Sequence, residues 1–157
     1  MEQAAWRPLR SVDLDELVDV QEAGAVAGLD RVFDQQLCPF PRRKVRDRWA
    51  AELADPAVRC AVADHGGSIL GFAAVKGDEL LHFGTALHTW GSGLASALLE
   101  AFVRDWMPAG PLRLWVFEDN VRARRFYSRH GWTATGSRTR SSFAPYPVLL
   151  EHVLDRS

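Results

Sequence analysis

Between Val58 and Leu87 the chain runs through three apolar stretches separated by very short turns, and no other feature restricts its fold as much. Val58, Cys60 and Val62 alternate with smaller or polar residues, the period of a strand. His65-Gly66-Gly67-Ser68 is a turn signal, Ile69 to Val75 is a second strand, and Lys76-Gly77-Asp78 turns the chain again. Glu79 to Leu87 is the third strand. Parallel neighbours need a crossover of about a dozen residues or more, so these strands pair as an antiparallel meander. Gly71 marks a bulge or a close contact inside it. An all-parallel doubly wound sheet is excluded.

After Gly93 the period becomes that of a helix. Leu94, Leu98, Phe102 and Trp106 form one stripe with Ala95, Leu99 and Val103 beside it, a helix to be packed on a sheet. Pro108 to Pro111 ends it, and Leu112 to Glu118 reads as a strand. Asn120 N-caps a short helix, Val121 to His130, with Gly131 at its C′ position. Trp132–Gly136 and Val148–Leu154 are closing strands. Upstream, Ala5 to Leu9 begins a strand, and Asp13 with Glu16 forms a capping box for a helix from Leu14 to about Ala27. Pro39 and Pro41 punctuate the chain before a second helix, Arg42 to Leu53, that buries Val45, Trp49 and Leu53. The order β-α-α-β-β-β-α-β-α-β-β predicts a mixed α/β domain.

The 157 residues fit one domain, 1–157, with a core that needs no metal or disulfide staple. Nineteen Lys and Arg against 20 Asp and Glu argue against a dedicated nucleic-acid or membrane-surface binder. Cys38 and Cys60 have no zinc-site spacing, so no metal is expected. Met1 to Arg10 lacks an apolar signal core and no stretch approaches eighteen apolar residues, so the expectation is a soluble cytoplasmic protein.

Two segments carry chemistry. Trp90-Gly91-Ser92-Gly93-Leu94-Ala95-Ser96 joins a strand to the amphipathic helix. Its glycines let the backbone turn tightly, and the helix start presents unpaired N–H groups, a setting for phosphate or pyrophosphate. No Gly-Lys-Ser/Thr follows, so it is not a nucleotide-triphosphate loop. In the second segment, Val116 to Trp132, Asn120 and Tyr127 lie two helical turns apart on one face. Alone, each segment is equally well a plain turn, a cap or a core residue.

Together and in this order the segments resemble the GNAT superfamily of acetyl-CoA-dependent N-acetyltransferases. The family loop Arg/Gln-x-x-Gly-x-Gly/Ala is matched by Gly93 and Ala95, with Trp90 in the first place as a departure. The pattern Asn-x-x-Ala-x-x-Phe-Tyr-x-x-x-Gly-Trp/Phe is matched by Asn120, Ala123, Phe126, Tyr127, Gly131 and Trp132. Trp6-Arg7-Pro8-Leu9 and Asp13 to Leu17 look like the family's opening strand and helix.

The resemblance implies a mostly antiparallel sheet of six to seven strands with about four helices, strands four and five being parallel and splayed. It implies direct acetyl transfer from acetyl-CoA to a primary amine, favouring a small-molecule acceptor, in a monomer or homodimer. The alternatives are a protein or peptide N-acetyltransferase and a non-catalytic acyl-CoA-binding regulatory module. Thr85, Ala86 and Leu87 would expose backbone groups to the pantetheine arm and the acetyl carbonyl. Trp90, Gly91, Ser92, Gly93, Leu94, Ala95 and Ser96 would hold the pyrophosphate, with Asn120 and Ala123 beside the pantetheine. Tyr127 would protonate the leaving thiolate or merely orient the thioester. For the base, Glu79 is preferred and His82 stands close behind; a two-residue period puts Glu79, Leu81, Phe83 and Thr85 on one face and His82 on the other unless a bulge intervenes. Arg122, Arg125 and Arg129 either meet a CoA phosphate or form a solvated face. Arg138 and Arg140 fall in the loop between the last strands, beside the acceptor pocket. Phe33, Phe40, Phe143 and Tyr146 line an aromatic slot or pack a lid onto the core.

Overall fold

The turn lengths have the consequence expected of them. In a computed structural model, which describes residues 4–156, the three runs form β2 (Val58–His65), β3 (Ser68–Lys76) and β4 (Glu79–Thr85), antiparallel throughout. β1 (Ala5–Pro8) adds to the β2 edge. Helices α1 (Leu14–Gly28) and α2 (Arg42–Ala54) precede the meander, and α3 (Leu94–Trp106) follows it. Then come β5 (Leu112–Phe117), α4 (Val121–Arg129), β6 (Thr133–Arg140) and β7 (Val148–Leu154). The single seven-stranded sheet has the order β1-β2-β3-β4-β5-β7-β6.

Its one parallel contact, β4 with β5, matters most. Only Glu79↔Arg113 and Leu80↔Leu114 are paired, and beyond them the strands separate. The sheet is thus open at its centre while closed on both sides.

Each face buries its own core. Leu99 and Phe102 of α3 and Tyr127 of α4 cover one face with Leu112, Leu114 and Val116 of β5. Leu17 and Val18 of α1 and Val45 and Trp49 of α2 cover the other with Val62 and Phe72. Trp49 is fully buried, meets Phe72 edge-on with ring centroids 5.8 Å apart, and donates its indole N–H to Gln21 at 2.7 Å. Truncating such a residue to alanine costs about 3–5 kcal/mol. Gly71 answers to close packing, since a Cβ there would lie 2.9 Å from Leu98 and 3.4 Å from Ala63.

Two local expectations change. Asp13 does not cap α1 with its side chain. Its carboxylate takes the Arg7 guanidinium at 2.8 and 3.0 Å and the Arg10 N–H at 2.8 Å, which holds its pKa down at about 2. Glu16 is drawn across the fold to the Ile69 N–H at 2.7 Å, so long-range partners win over the local box. Secondly, β6 runs on to Arg140 because Gly136, at φ +93°, absorbs a register shift between Ala134 and Arg138. Arg138 and Arg140 therefore lie on a strand and not in a loop. Arg138 pairs with Glu118 at 2.7 Å and Arg140 donates to the Tyr146 carbonyl at 3.0 Å.

Candidate active site

The opening between β4 and β5 leaves two strand edges unpaired. The Ala86 N–H is spent on the Leu70 carbonyl at 2.9 Å. Alternation along an antiparallel pair then turns the amides of Phe83 and Thr85 toward the gap. On β5 the Arg113 N–H bonds to Asp78 at the closed end and the Glu118 N–H bonds back to Val148, so Trp115 and Phe117 present their backbone to the same gap. Of the expected trio, Thr85 stands at the gap, Ala86 faces β3, and Leu87 begins a turn beyond the strand. Phe83 was missed, because only the register reveals which amides are free.

At the mouth of the gap the chain turns through Gly91 (φ +82°) and Gly93 (φ +88°), both left-handed, with open space where a Cβ would stand. L-residues other than glycine are disfavoured there, which explains both glycines. The Trp90 and Ser92 N–H groups are used in the corner's own turns, and the Ser92 hydroxyl accepts from Leu94 N–H at 3.3 Å. Gly91, Gly93, Ala95 and Ser96 keep N–H groups with no protein acceptor among the described residues. These point from the α3 N-terminus, where the helix dipole adds positive potential. That donor set fits a diphosphate.

Trp90, the departure from the family pattern, is built in. Its indole N–H donates to the Thr85 carbonyl at 3.1 Å, and its ring packs so tightly on α1 that a Cβ at Gly28 would lie 3.1 Å away. The Arg122 guanidinium lies 3.6 Å above the ring. A cation thus stands beside the corner although the loop itself lacks one. Arg125, Arg129 and His88 are exposed.

On the α3/α4 face, Phe83 stacks on Phe126 at 6.0 Å and Phe126 meets Tyr127 at 5.4 Å, a chain of rings leading from β4 to the buried tyrosine. Burial pushes the Tyr127 phenol pKa upward. Asn120 caps α4 by accepting from Ala123 N–H at 3.2 Å, so its carbonyl is engaged and its amide N–H₂ remains a donor. Ala123 is half-buried against the same core.

The other face holds a second constellation. The ladder shifts between Ala74 and Val75, leaving Leu81 as an extra residue in β4. Leu81 and His82 consequently both face α2, and the simple period that put Leu81 with Phe83 fails. His82 lies against Trp49, ring centroids 4.7 Å apart, and its Nε2 is 2.9 Å from both oxygens of Glu52 on α2. An Nε2–H donor to that carboxylate leaves Nδ1 with the lone pair in the neutral ring. Burial lowers the His82 pKa and outweighs the raising effect of Glu52.

Glu79 is not brought to this group. It sits at the closed end, 3.2 Å from Arg113, roughly 20 Å of strand from Thr85. Phe33 meets Phe117 edge-on at 5.3 Å, and Phe143, after β6, lies beneath the Arg48 guanidinium at 5.3 Å. Phe40 packs on the α1/α2 core and Tyr146 is exposed. Glu52 and Arg48 were missed: spaced i, i+4 on a charged helix, they read as a solvated pair. A cavity of about 480 Å³ between α4, β6 and β7 includes neither the corner nor β4. Among the described residues no group of three His, Cys, Asp or Glu side chains is placed to hold a metal, and no helix is long and apolar enough to cross a membrane.

Known proteins share this fold. An acetyltransferase from Thermus thermophilus superposes with a TM-score of 0.78 at 17% identity, covering 99% of this chain and 98% of that one. The PaiA N-acetyltransferase of Thermoplasma acidophilum, solved in complex with coenzyme A, gives 0.73 at 16% identity, covering 96% and 98%. At such identities the likeness is one of fold. An uncharacterized N-acetyltransferase of Mycobacterium tuberculosis is 36% identical over 104 residues, 59% of this chain and 64% of that protein. The match therefore spans less than two thirds of that relative's length. The profile of the Acetyltransferase (GNAT) family matches residues 27–132, from the end of α1 through the corner to Trp132. The chain belongs to the GNAT acetyltransferase family.

Proposed function

We propose that the chain transfers the acetyl group of acetyl-CoA to a primary amine of a small molecule by direct attack. The observation that carries this reading is the gap between β4 and β5 with the glycine corner at its mouth. Acetyl-CoA supplies a diphosphate, an amide-bearing arm and an activated acyl group, and three sets of residues fit those parts. The free N–H groups of Gly91, Gly93, Ala95 and Ser96, joined by Arg122, suit the diphosphate. The backbone of Phe83 and Trp115 and the N–H groups of Thr85 and Phe117, left without a strand partner, suit an extended amide arm laid in as a strand. The Phe83 or Thr85 N–H would then donate to the thioester carbonyl oxygen, where charge develops.

The proton belongs to the other face. His82, kept neutral by burial and oriented by Glu52, accepts it from the incoming amine directly or through one water. Tyr127 donates a hydrogen bond at the sulfur. With Phe33 over Phe117 and Phe143 under Arg48, the acceptor face is flanked by side chains, which supports a small acceptor over a peptide.

Thiol release from acetyl-CoA with a broad amine panel tests the reading, alongside calorimetry with CoA. Turnover above the hydrolysis blank and CoA binding are expected. CoA binding with no turnover on any amine would make the chain an acyl-CoA-binding module. Turnover confined to peptide N-termini would move the acceptor to proteins.

A further inference from the structure

Arg48 is a half-buried cation with no hydrogen-bond or ion-pair partner among the described residues. It projects from α2 one turn before Glu52, on the face that carries His82. Its Nε is shut off from solvent without a hydrogen-bond partner. Among the described residues no carboxylate lies within ion-pair reach of its guanidinium. Glu52, the nearest candidate, gives both oxygens to His82 at 2.9 Å. The Phe143 ring at 5.3 Å offers a π-face but no lone pair for five N–H donors. Burial draws the Arg48 pKa down, and the charge of Glu52 offsets this only in part. Buried charges in folded proteins are paired or meet a ligand, because leaving one unpaired is strongly destabilising. Of the other arginines of α2, Arg42 pairs with Asp19 and Glu22 and Arg46 with Asp15, while Arg43 is exposed to solvent.

We propose that Arg48 is the anion subsite of the acceptor pocket and that the acceptor is an amino-carboxylate, its amine at His82 and its carboxylate on the Arg48 guanidinium. The inference rests on the acetyl-transfer reading for the role of His82. A carboxylate is preferred to other anions because its two oxygens match the planar fork of a guanidinium. The same ligand would complete the charges of the pocket. Without it, the face holds one carboxylate committed to a histidine and one uncommitted cation. The ring of Phe143 would keep the fork flat and screened from water, which strengthens a charge-assisted pair.

The test compares acceptors with and without the carboxylate, each rate referred to the unprotonated amine because loss of a neighbouring carboxylate lowers the ammonium pKa. Phenylalanine, methionine and leucine are each set against their carboxamides, and β-alanine, 4-aminobutyrate and 6-aminohexanoate against theirs, with thiol release giving kcat/KM. At least one acid should exceed its amide by about tenfold to a hundredfold, the range of a charge-assisted pair. Arg48→Gln should collapse that ratio to near unity, and Arg48→Lys should restore part of it; circular dichroism checks that both fold. If every amide equals its acid in the native chain, or if the ratio survives Arg48→Gln, the subsite is wrong. Phosphoethanolamine outrunning every carboxylate would overturn the choice of anion. Absence of turnover with any amine would sink the transfer reading instead. In that case calorimetry of the same pairs on the CoA-saturated protein decides the subsite: tighter binding of an acid, abolished by Arg48→Gln, supports it, and equal binding of acids and amides refutes it.

Discussion

The two ends of the β4–β5 gap are built on opposite principles. At the corner the donors are backbone N–H groups of Gly91, Gly93, Ala95 and Ser96, close together in sequence, and the glycine side chains there matter by their absence. On the α2 face the working groups are side chains from separate segments, Arg48 and Glu52 on α2, His82 on β4 and Phe143 beyond β6. A backbone site must be written locally, since left-handed φ values demand glycine at fixed positions. A side-chain site needs only that the fold bring its members together. On the proposed reading the corner holds the cofactor and the α2 face is free to set the acceptor.

Removing His82 should produce the largest effect. His82→Gln keeps a polar side chain but no base, and kcat should fall about 10² to 10⁴-fold with CoA affinity unchanged. A comparable loss of CoA affinity would mean that the two ends are not separable. The acid limb of the rate profile should have its midpoint below 6.5, because burial depresses the His82 pKa and the ring accepts a proton only above that value. Glu52→Gln should slow turnover by about tenfold or more and move the limb further to acid, since the carboxylate raises the His82 pKa. A shift toward alkaline pH would reverse the assigned polarity.

Much of this contrast could be read in the sequence. The meander, the stripe of α3 and the order of elements follow from period and turn chemistry. Gly93, Ala95, Asn120 and Tyr127 stand where the two motifs put them. What could not be read depends on pairing. Leu81 becomes an extra residue only once β3 sets the register, and with that shift Leu81 joins His82 on the α2 face, opposite Phe83. Glu79 looked suitable by period, yet it ends at the closed tip beside Arg113. Glu52 lies 30 residues from His82 and carries no local mark of a partner. Arg48 was hidden among the paired or exposed arginines of α2.

A smaller effect is expected at the corner. Gly93 has free space around it, so Gly93→Val is penalised by backbone conformation and not by a clash. Holding a non-glycine residue at φ +88° costs about 1–2 kcal/mol. If the protein relaxes by turning the corner away, CoA affinity should drop by about tenfold or somewhat more, measured calorimetrically. Turnover at saturating acetyl-CoA should be much less affected than in His82→Gln. Unaltered affinity would show that the corner is only a connection between β4 and α3.

On the proposed reading Tyr127 divides the two ends most finely, because it would touch the cofactor and act on the chemistry through a hydrogen bond at the sulfur. An ordinary phenol has a pKa of about 10, and a thiol like that of the leaving group about 8.5, so full proton transfer is already uphill. Burial raises the Tyr127 pKa still further and makes the phenol a poorer acid but a permanent donor. A hydrogen bond to the sulfur, not a transferred proton, is the contribution such a group can make. Tyr127→Phe should then lower kcat by about tenfold, with acetyl-CoA affinity within a factor of about three, as suits one charge-assisted hydrogen bond strengthened in the transition state. The native chain should show no alkaline limb from this residue near pH 10. A loss of about a thousandfold, together with an alkaline limb that vanishes in Tyr127→Phe, would restore the tyrosine as a true acid and place the decisive chemistry on the cofactor side.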